Sequence, residues 1–258
     1  MPRRPCSTLA LVAALGLLTP LVATGESDAP RMEEEKLVGP QVALSVGVGA
    51  GAGYVYKHGT NLLTGQPEDL KVTDASSVSL PILLEVGYRG TPHWYFGLWG
   101  SWEKVFTKNS ELSCPDGFDC NFRQWRFGPE ARYHFRPGSG FDPWAGLGVG
   151  LEITQSDLKG DVEVPTPGGG TVPASVKLSI TDRGPTYARL TLGGDVRLTR
   201  NVFLGPIITA SIGSYTIRTG EQSVTLPGIG TSTTPLPPVD DGFHGLFTVA
   251  LRVAWLKL

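Results

Sequence analysis

The sequence has few cysteines, no excess of basic residues and no long apolar run outside its first 25 residues. Each shortage excludes something. Beyond Gly25 no stretch of 18 apolar residues occurs, so a helical membrane protein is ruled out. Lys and Arg number 22 against 24 Asp and Glu, which is not the charge balance of a nucleic-acid-binding chain. Of three cysteines, Cys6 stands before the first apolar run and cannot be a lipoprotein cysteine. Cys114 and Cys120 are too few for a metal centre, and no histidine lies near them. Only helices and closed barrels satisfy their backbone groups in lipid, so a soluble protein or a β-barrel remains.

The first 25 residues read as a signal peptide. Arg3 and Arg4 precede the apolar run Leu9 to Leu18, and the small residues of Val22-Ala23-Thr24-Gly25 follow. That order is n-region, h-region and cleavage site. Cleavage is expected after Gly25, with Ala23 the alternative. Residues 26–40, with Glu33-Glu34-Glu35-Lys36, read as a solvated periplasmic leader. In an exported chain the spacing Cys114-Pro-Asp-Gly-Phe-Asp-Cys120 is expected to close a small disulfide loop.

From Gln41 onward apolar residues alternate with small or polar ones in eight stretches. These are Gln41–Tyr56, Val78–Arg89, Trp94–Lys104, Asn121–Phe135, Phe141–Thr154, Thr186–Leu198, Val202–Tyr215 and Phe243–Trp255. The gaps alternate long and short. That rhythm predicts an all-β, eight-stranded antiparallel transmembrane barrel over residues 41–258, with tight turns at one rim and long loops at the other. Each stretch suits a tilted span of about 9–11 residues. Period two puts one set of side chains on each face. Outward fall Val42, Leu44, Leu84, Leu98, Leu147, Leu192 and Leu251. Inward fall Glu85, Arg89, Glu103, Arg126, Glu130, Arg132, Glu152, Tyr187, Arg189, Asp195, Arg197 and Arg252.

Aromatic residues fall near the predicted strand ends. Tyr88, Trp94, Tyr133, Phe135, Trp144, Phe203 and Trp255 mark the short-turn rim. Tyr54, Tyr56, Trp102, Trp125 and Phe243 mark the long-loop rim. Two such belts match the two bilayer interfaces. Pro129 and Pro206 each follow a glycine and are expected to mark bulges, because proline removes a ladder donor. The long gaps, rich in Gly, Pro, Thr and Ser, read as mobile loops or as hairpins continuing above the membrane.

The signal peptide, strand count, loop alternation and inward Gly/Arg/Glu pattern resemble the small outer-membrane β-barrels of the outer-membrane protein A, X and W type. The segment Leu192-Gly-Gly-Asp-Val-Arg-Leu-Thr-Arg-Asn-Val-Phe-Leu-Gly-Pro206 is similar to a strand-turn-strand unit of such barrels. The resemblance covers residues 41–258. One departure is the C-terminus, Trp255-Leu-Lys-Leu258, where family members usually end on an aromatic. The resemblance implies an outer-membrane location in a Gram-negative bacterium, both termini periplasmic, contact with outer-membrane lipid and lipopolysaccharide, insertion by the barrel-assembly machinery, and a monomer.

Four groups of residues bear on function. Gly47-Val-Gly49-Ala-Gly-Ala52 formally matches a dinucleotide fingerprint, but no helix follows to hold a pyrophosphate; no cofactor is expected. The inward charges Glu85, Arg89, Arg126, Glu130, Arg132, Glu152, Arg189, Asp195, Arg197 and Arg252 would share one lumen. An eight-stranded barrel is just wide enough for its side chains to fill, so a paired network that plugs it is favoured over a selectivity path. His58, His134 and His244 are the histidines in reach of the barrel, and none has a nucleophile and acid at a recognisable spacing. The long loops complete the set, since loops on rigid scaffolds commonly carry function. The sequence therefore predicts a non-enzymatic anchor with a structural or surface-interaction role through its loops. The alternatives are a narrow passage for small or apolar solutes, which resemblance to the W type allows, and a lipid A-modifying enzyme.

Overall fold

The computed structural model describes residues 37–60, 67–107, 114, 117–165, 169–237 and 239–257. The signal-peptide reading lies outside these residues, as does the leader up to residue 36. Eleven strands and one short helix follow in order: β1 (Gly39–Thr60), β2 (Pro67–Lys71), α1 (Val72–Ala75), β3 (Ser76–Arg89), β4 (Trp94–Thr107), β5 (Phe118–His134), β6 (Phe141–Pro165), β7 (Thr171–Arg197), β8 (Val202–Tyr215), β9 (Ile217–Leu226), β10 (Gly230–Pro235) and β11 (Asp240–Leu256).

Eight of these strands close a ring in the order β1-β3-β4-β5-β6-β7-β8-β11 and back to β1, every pairing antiparallel. The closing seam runs from Gln41↔Leu256 to Gly53↔His244 without a register shift. Closure leaves the ring no unpaired edge. All eight expected strands are present, and the period-two pattern sorts most of their side chains as expected. Leu98, Leu147 and Leu251 stand more than half exposed on the outside, at 64%, 66% and 58%. A continuous apolar surface around a closed barrel has lipid as its natural solvent.

Two of the long gaps are hairpins, not open loops. β6 and β7 pair all the way to Pro165↔Thr171. β9 adds to the far edge of β7, and β10 adds to β9. The result is a sheet that continues the barrel wall beyond the membrane belt. Its inner face carries Leu158, Ala174, Val176 and Leu178, all buried. In the first long gap, β2 pairs back on β1 and α1 buries Val72 and Ala75.

Four aromatic assignments are corrected. Tyr56 faces inward and is buried. Gly53 adopts φ +96°, and the β1–β2 pairing shifts by one residue between Tyr54 and Tyr56. A bulge of this kind exchanges the two faces beyond it. Tyr187 goes the other way, onto the outer face, because of a register shift between Thr186 and Ala188. Trp144 and Phe203 lie inside the barrel. The alternation that puts Leu147 and Ile208 outside puts these two inside.

The bulges expected at Pro129 and Pro206 do not form. The β5–β6 pairing skips from Phe127↔Leu151 to Glu130↔Gly148 and resumes in the same register. The β7–β8 pairing does the same between Gly193↔Ile207 and Val196↔Leu204. In both places the preceding glycine lets the neighbouring backbone come close: a Cβ on Gly128 would lie 1.9 Å from the Val149 carbonyl oxygen, and one on Gly205 would lie 1.6 Å from that of Gly194. The missing proline donor is absorbed by a local gap in the ladder, not by an extra residue.

Candidate functional site: a charge-filled lumen below an apolar cup

The barrel interior has three layers. At the short-turn end, Leu37 of the leader packs with Ala43, Phe203, Ala254 and Leu256 in a buried apolar cluster. The leader thus enters the barrel mouth from residue 37, a placement that the reading of residues 26–40 as solvated does not include.

Above this seal lies the charge network. Arg132 bonds to Glu85 and, at 2.9 Å, to Glu130. Arg189 Nη1 donates to the other oxygen of Glu130 at 2.8 Å. Arg252 Nε donates to Glu85 at 2.6 Å, and its Nη1 lies 2.9 and 3.0 Å from the two oxygens of Asp195. Arg89 reaches Asp142 at 3.1 Å, and His134 Nδ1 lies 2.9 Å from that same carboxylate oxygen. One level up, Arg126 pairs with Glu103 and donates to Ser211 Oγ at 3.0 Å. Aromatic faces fill the spaces between. The Arg132 guanidinium sits 4.0 Å from the Trp144 ring centre and 4.7 Å from that of Tyr95, and Arg189 lies 4.4 Å over Trp99.

Nine of the ten charges expected in the lumen, namely Glu85, Arg89, Arg126, Glu130, Arg132, Glu152, Arg189, Asp195 and Arg252, are no more than 5% exposed. Arg197 is the exception. It bonds the carbonyls of Thr199 and Arg200 at the short turn, because at the strand end its long side chain reaches the rim more readily than the crowded interior. Glu103 and Asp142 belong to the network, although only the first is among the inward residues expected from the sequence. Asp142 shares the inner face with Trp144, so the alternation held that signal.

The aromatic belts are unevenly populated. At the short-turn rim Trp94 meets Tyr133 at 5.1 Å between ring centres, and Tyr133 meets Phe135 at 5.3 Å. Tyr88 and Trp255 are exposed near them. At the long-loop side Trp102 meets Trp125 edge to face at 6.4 Å, and Tyr187 stacks on Phe243 at 6.3 Å. Tyr54 is half-buried, with the Lys57 ammonium 4.5 Å from its ring centre.

The uppermost layer is a cup of about 160 Å³. Its walls are mainly apolar and include Val72, Val105, Phe122, Leu178, Ile180 and Leu246. β2 and α1 roof one side, and Leu236, Pro237 and Val239 the other. Two polar pairs brace the wall. Tyr56 Oη donates to Glu68 at 2.5 Å, and Arg218 lies 4.3 Å over the Tyr56 ring while bonding both oxygens of Asp182 at 2.7 and 3.0 Å. Burial, reinforced by Glu68, raises the Tyr56 phenol well above its ordinary value. At the floor Gln124 Nε2 donates to Tyr215 Oη at 3.0 Å, Thr154 Oγ1 lies 2.8 Å from the same oxygen, and the Tyr215 ring stacks on His244 at 4.3 Å.

Three histidines meet acids that spacing did not reveal. His134 faces Asp142, His244 Nε2 lies 2.9 Å from Glu152, and His58 Nδ1 lies 2.9 Å from Asp240 on the exposed rim. Cys114 and Cys120 are joined as a disulfide. Among the described residues no cluster of three or more His, Cys, Asp or Glu is placed to hold a metal ion. Gly47 to Ala52 lie within strand β1 of the barrel wall.

A closed eight-stranded ring with an apolar outer belt, aromatic girdles and a polar interior is the construction of an outer-membrane β-barrel, and the outer membrane is where this belt places the chain. No family model matches the sequence, and no curated protein matches it. Solved structures of outer-membrane barrels are similar in fold. Neisserial surface protein A has 14% identity over 85% of this chain and 97% of its own, with a TM-score of 0.39. The outer membrane protein OprG from Pseudomonas aeruginosa has 13% identity over 86% and 98%, with a TM-score of 0.44. A major outer membrane protein from Thermus thermophilus has 11% identity over 84% and 98%, with a TM-score of 0.43.

Proposed function

We propose that the protein is a monomeric outer-membrane anchor, sealed through its lumen, whose cup on the long-loop side binds a small and mostly apolar ligand at the cell surface. The observation that carries this reading is the stacking of layers. An apolar cup lies on the long-loop side, and directly beneath it arginine–carboxylate pairs and aromatic rings fill the barrel. Ligand sites are concave, mostly apolar and supplied with a few placed polar groups; Tyr56, Asp182 and Arg218 are such groups here. In this reading the long loops point away from the cell, both chain termini lie in the periplasm, and the signal peptide and assembly machinery deliver the chain.

The test uses refolded protein in lipid nanodiscs and the apolar probe N-phenyl-1-naphthylamine. Wild type is expected to show a saturable rise in probe emission that the Leu178→Arg variant lacks; equal responses from both would overturn the cup. In planar bilayers the purified barrel is expected to give no stable single-channel steps, and such steps would favour a passage over a sealed anchor. An altered lipid A mass spectrum in cells making the protein would return the enzyme reading.

A further inference from the structure

We propose that the barrel lumen holds one small monovalent anion, of the size of chloride or bromide, between Arg126 and Arg189. A cavity of about 20 Å³ lies beside the charge network. One water needs only about 10–15 Å³. The polar part of its lining is Ser101, Arg126, Arg189, Thr209 and Thr248, and no carboxylate lines it. Ser101 stands opposite Arg126 across β4 and β5, and Thr248 opposite Thr209 across β11 and β8. Arg189 enters from β7. The cavity is therefore built by five strands of the closed ring, at one level of the barrel.

The lining is rich in donors and carries two like charges. Arg126 Nη2 pairs with Glu103, and Nη1 donates to Ser211 Oγ at 3.0 Å. Its Nε is a buried donor with no hydrogen-bond partner, on a residue only 4% exposed. Arg189 Nη1 donates to Glu130 at 2.8 Å, and Glu130 also accepts from Arg132. Arg189 thus has only a share in one carboxylate. Ser101 Oγ gives its proton to Glu103 at 3.3 Å, so Thr209 and Thr248 supply the hydroxyls that can turn to a guest. Two guanidiniums on one dry wall repel, and an anion between them turns that repulsion into attraction. A buried ion must be paired and hydrogen-bonded, and here the donors are already in place. Water matches the wall less well, because it brings two protons and a guanidinium accepts none. A spherical guest that only accepts can use every donor. Guanidinium is weakly hydrated, which favours a weakly hydrated halide; sulfate is too large for the space.

The experiment refolds the protein in neutral detergent with sodium bromide, chloride, gluconate or sulfate at one ionic strength, so that the anion is present as the barrel closes. Crystals grown from the bromide sample are measured at the bromine absorption edge, and heat-shift midpoints are read for all four salts. One anomalous peak between Arg126 and Arg189 is expected. Midpoints should be about 2–4 °C higher in either halide than in gluconate or sulfate. Thr209→Val/Thr248→Val keeps both guanidiniums and nearly the same side-chain shape. Its half-saturating bromide concentration should rise about tenfold or more. Absence of the peak, with equal midpoints in all four salts, would leave water as the occupant and overturn the site. Equal stabilisation by sulfate would overturn it too, since that marks charge screening at the surface. A folded double variant that keeps the full halide dependence would do the same.

Discussion

Arg252 and Glu85 are 167 residues apart in the chain and meet at 2.6 Å inside the barrel lumen, over the intervening strand β1. Glu85 also takes Arg132, and Arg252 also takes Asp195. Strands β3 and β11 are not neighbours in the ring, so this contact ties strands that share no ladder. A buried pair adds little net stability relative to a well-packed apolar core, but removing one member leaves an uncompensated charge. Glu85→Ala is therefore expected to destabilise the folded barrel by about 3–5 kcal/mol. Arg197→Ala, at the exposed rim, should cost less than about 1 kcal/mol. Urea midpoints of the two refolded variants in one detergent check this, and similar losses for both would refute the network's special role.

The origin of that network shows how much of the molecule is legible in sequence. Period-two alternation places Glu85, Arg132 and Arg252 on one face because a strand's side chains have no other choice. Which acid meets which arginine is a matter of register around the ring, and no spacing along the chain records it. Alternation also runs through the long gaps, at Leu158, Gly160 and Val162 and again at Ala174, Val176 and Leu178. There the polar residues on the other face hide the hairpin among Ser, Thr and Gly. Tyr56 and Tyr187 depart from the simple alternation for a different reason. A single bulge reverses the assignments on one side of it, beyond Gly53 on β1 and before Ala188 on β7, and no spacing along the chain announces one. The cup is the least legible feature, since β2, α1, β9 and the residues Leu236, Pro237 and Val239 that enclose it all lie in stretches that look like loop.

Gly53 is the residue on which the inward turn of Tyr56 depends. Its φ of +96° lies where a side chain is strained, and a Cβ there would meet the Phe243 carbonyl oxygen at 2.5 Å. Gly53→Ala should cost about 1–3 kcal/mol. It should also weaken probe binding in the cup, because Tyr56 would lose its inward position. If probe affinity is unchanged while stability falls, Tyr56 is held by something other than the bulge.

The Tyr56 phenol supplies a pH signature at the cup. Burial and its bond to Glu68 favour the protonated form, so the folded state binds this proton more tightly than the unfolded chain does. The stabilisation is complete below the ordinary phenol value of 10.0 and erodes as pH rises beyond it. A difference ultraviolet titration of wild type against Tyr56→Phe should show no phenolate from Tyr56 near pH 10. A phenolate appearing there would mean that the residue is open to water.

The outer belt gives the sharpest contrast with a soluble β-barrel. Leu147 is 66% exposed in the middle of the β6 span, and Ile229 is 81% exposed at the tip of the β9–β10 hairpin. If water bathed both, arginine at either position would change stability by no more than about 0.5 kcal/mol. Lipid separates them. Leu147→Arg puts a guanidinium among acyl chains at a cost of about 2–4 kcal/mol, whereas Ile229→Arg stands above the headgroups and should cost almost nothing. The free energies come from reversible unfolding in lipid vesicles, with folded mobility on cold gels as the check on insertion. Because both residues are apolar and lie on the outside, only the surrounding solvent distinguishes them. Equal small effects would place the belt in water, and equal large effects would place the hairpin tip in contact with the membrane.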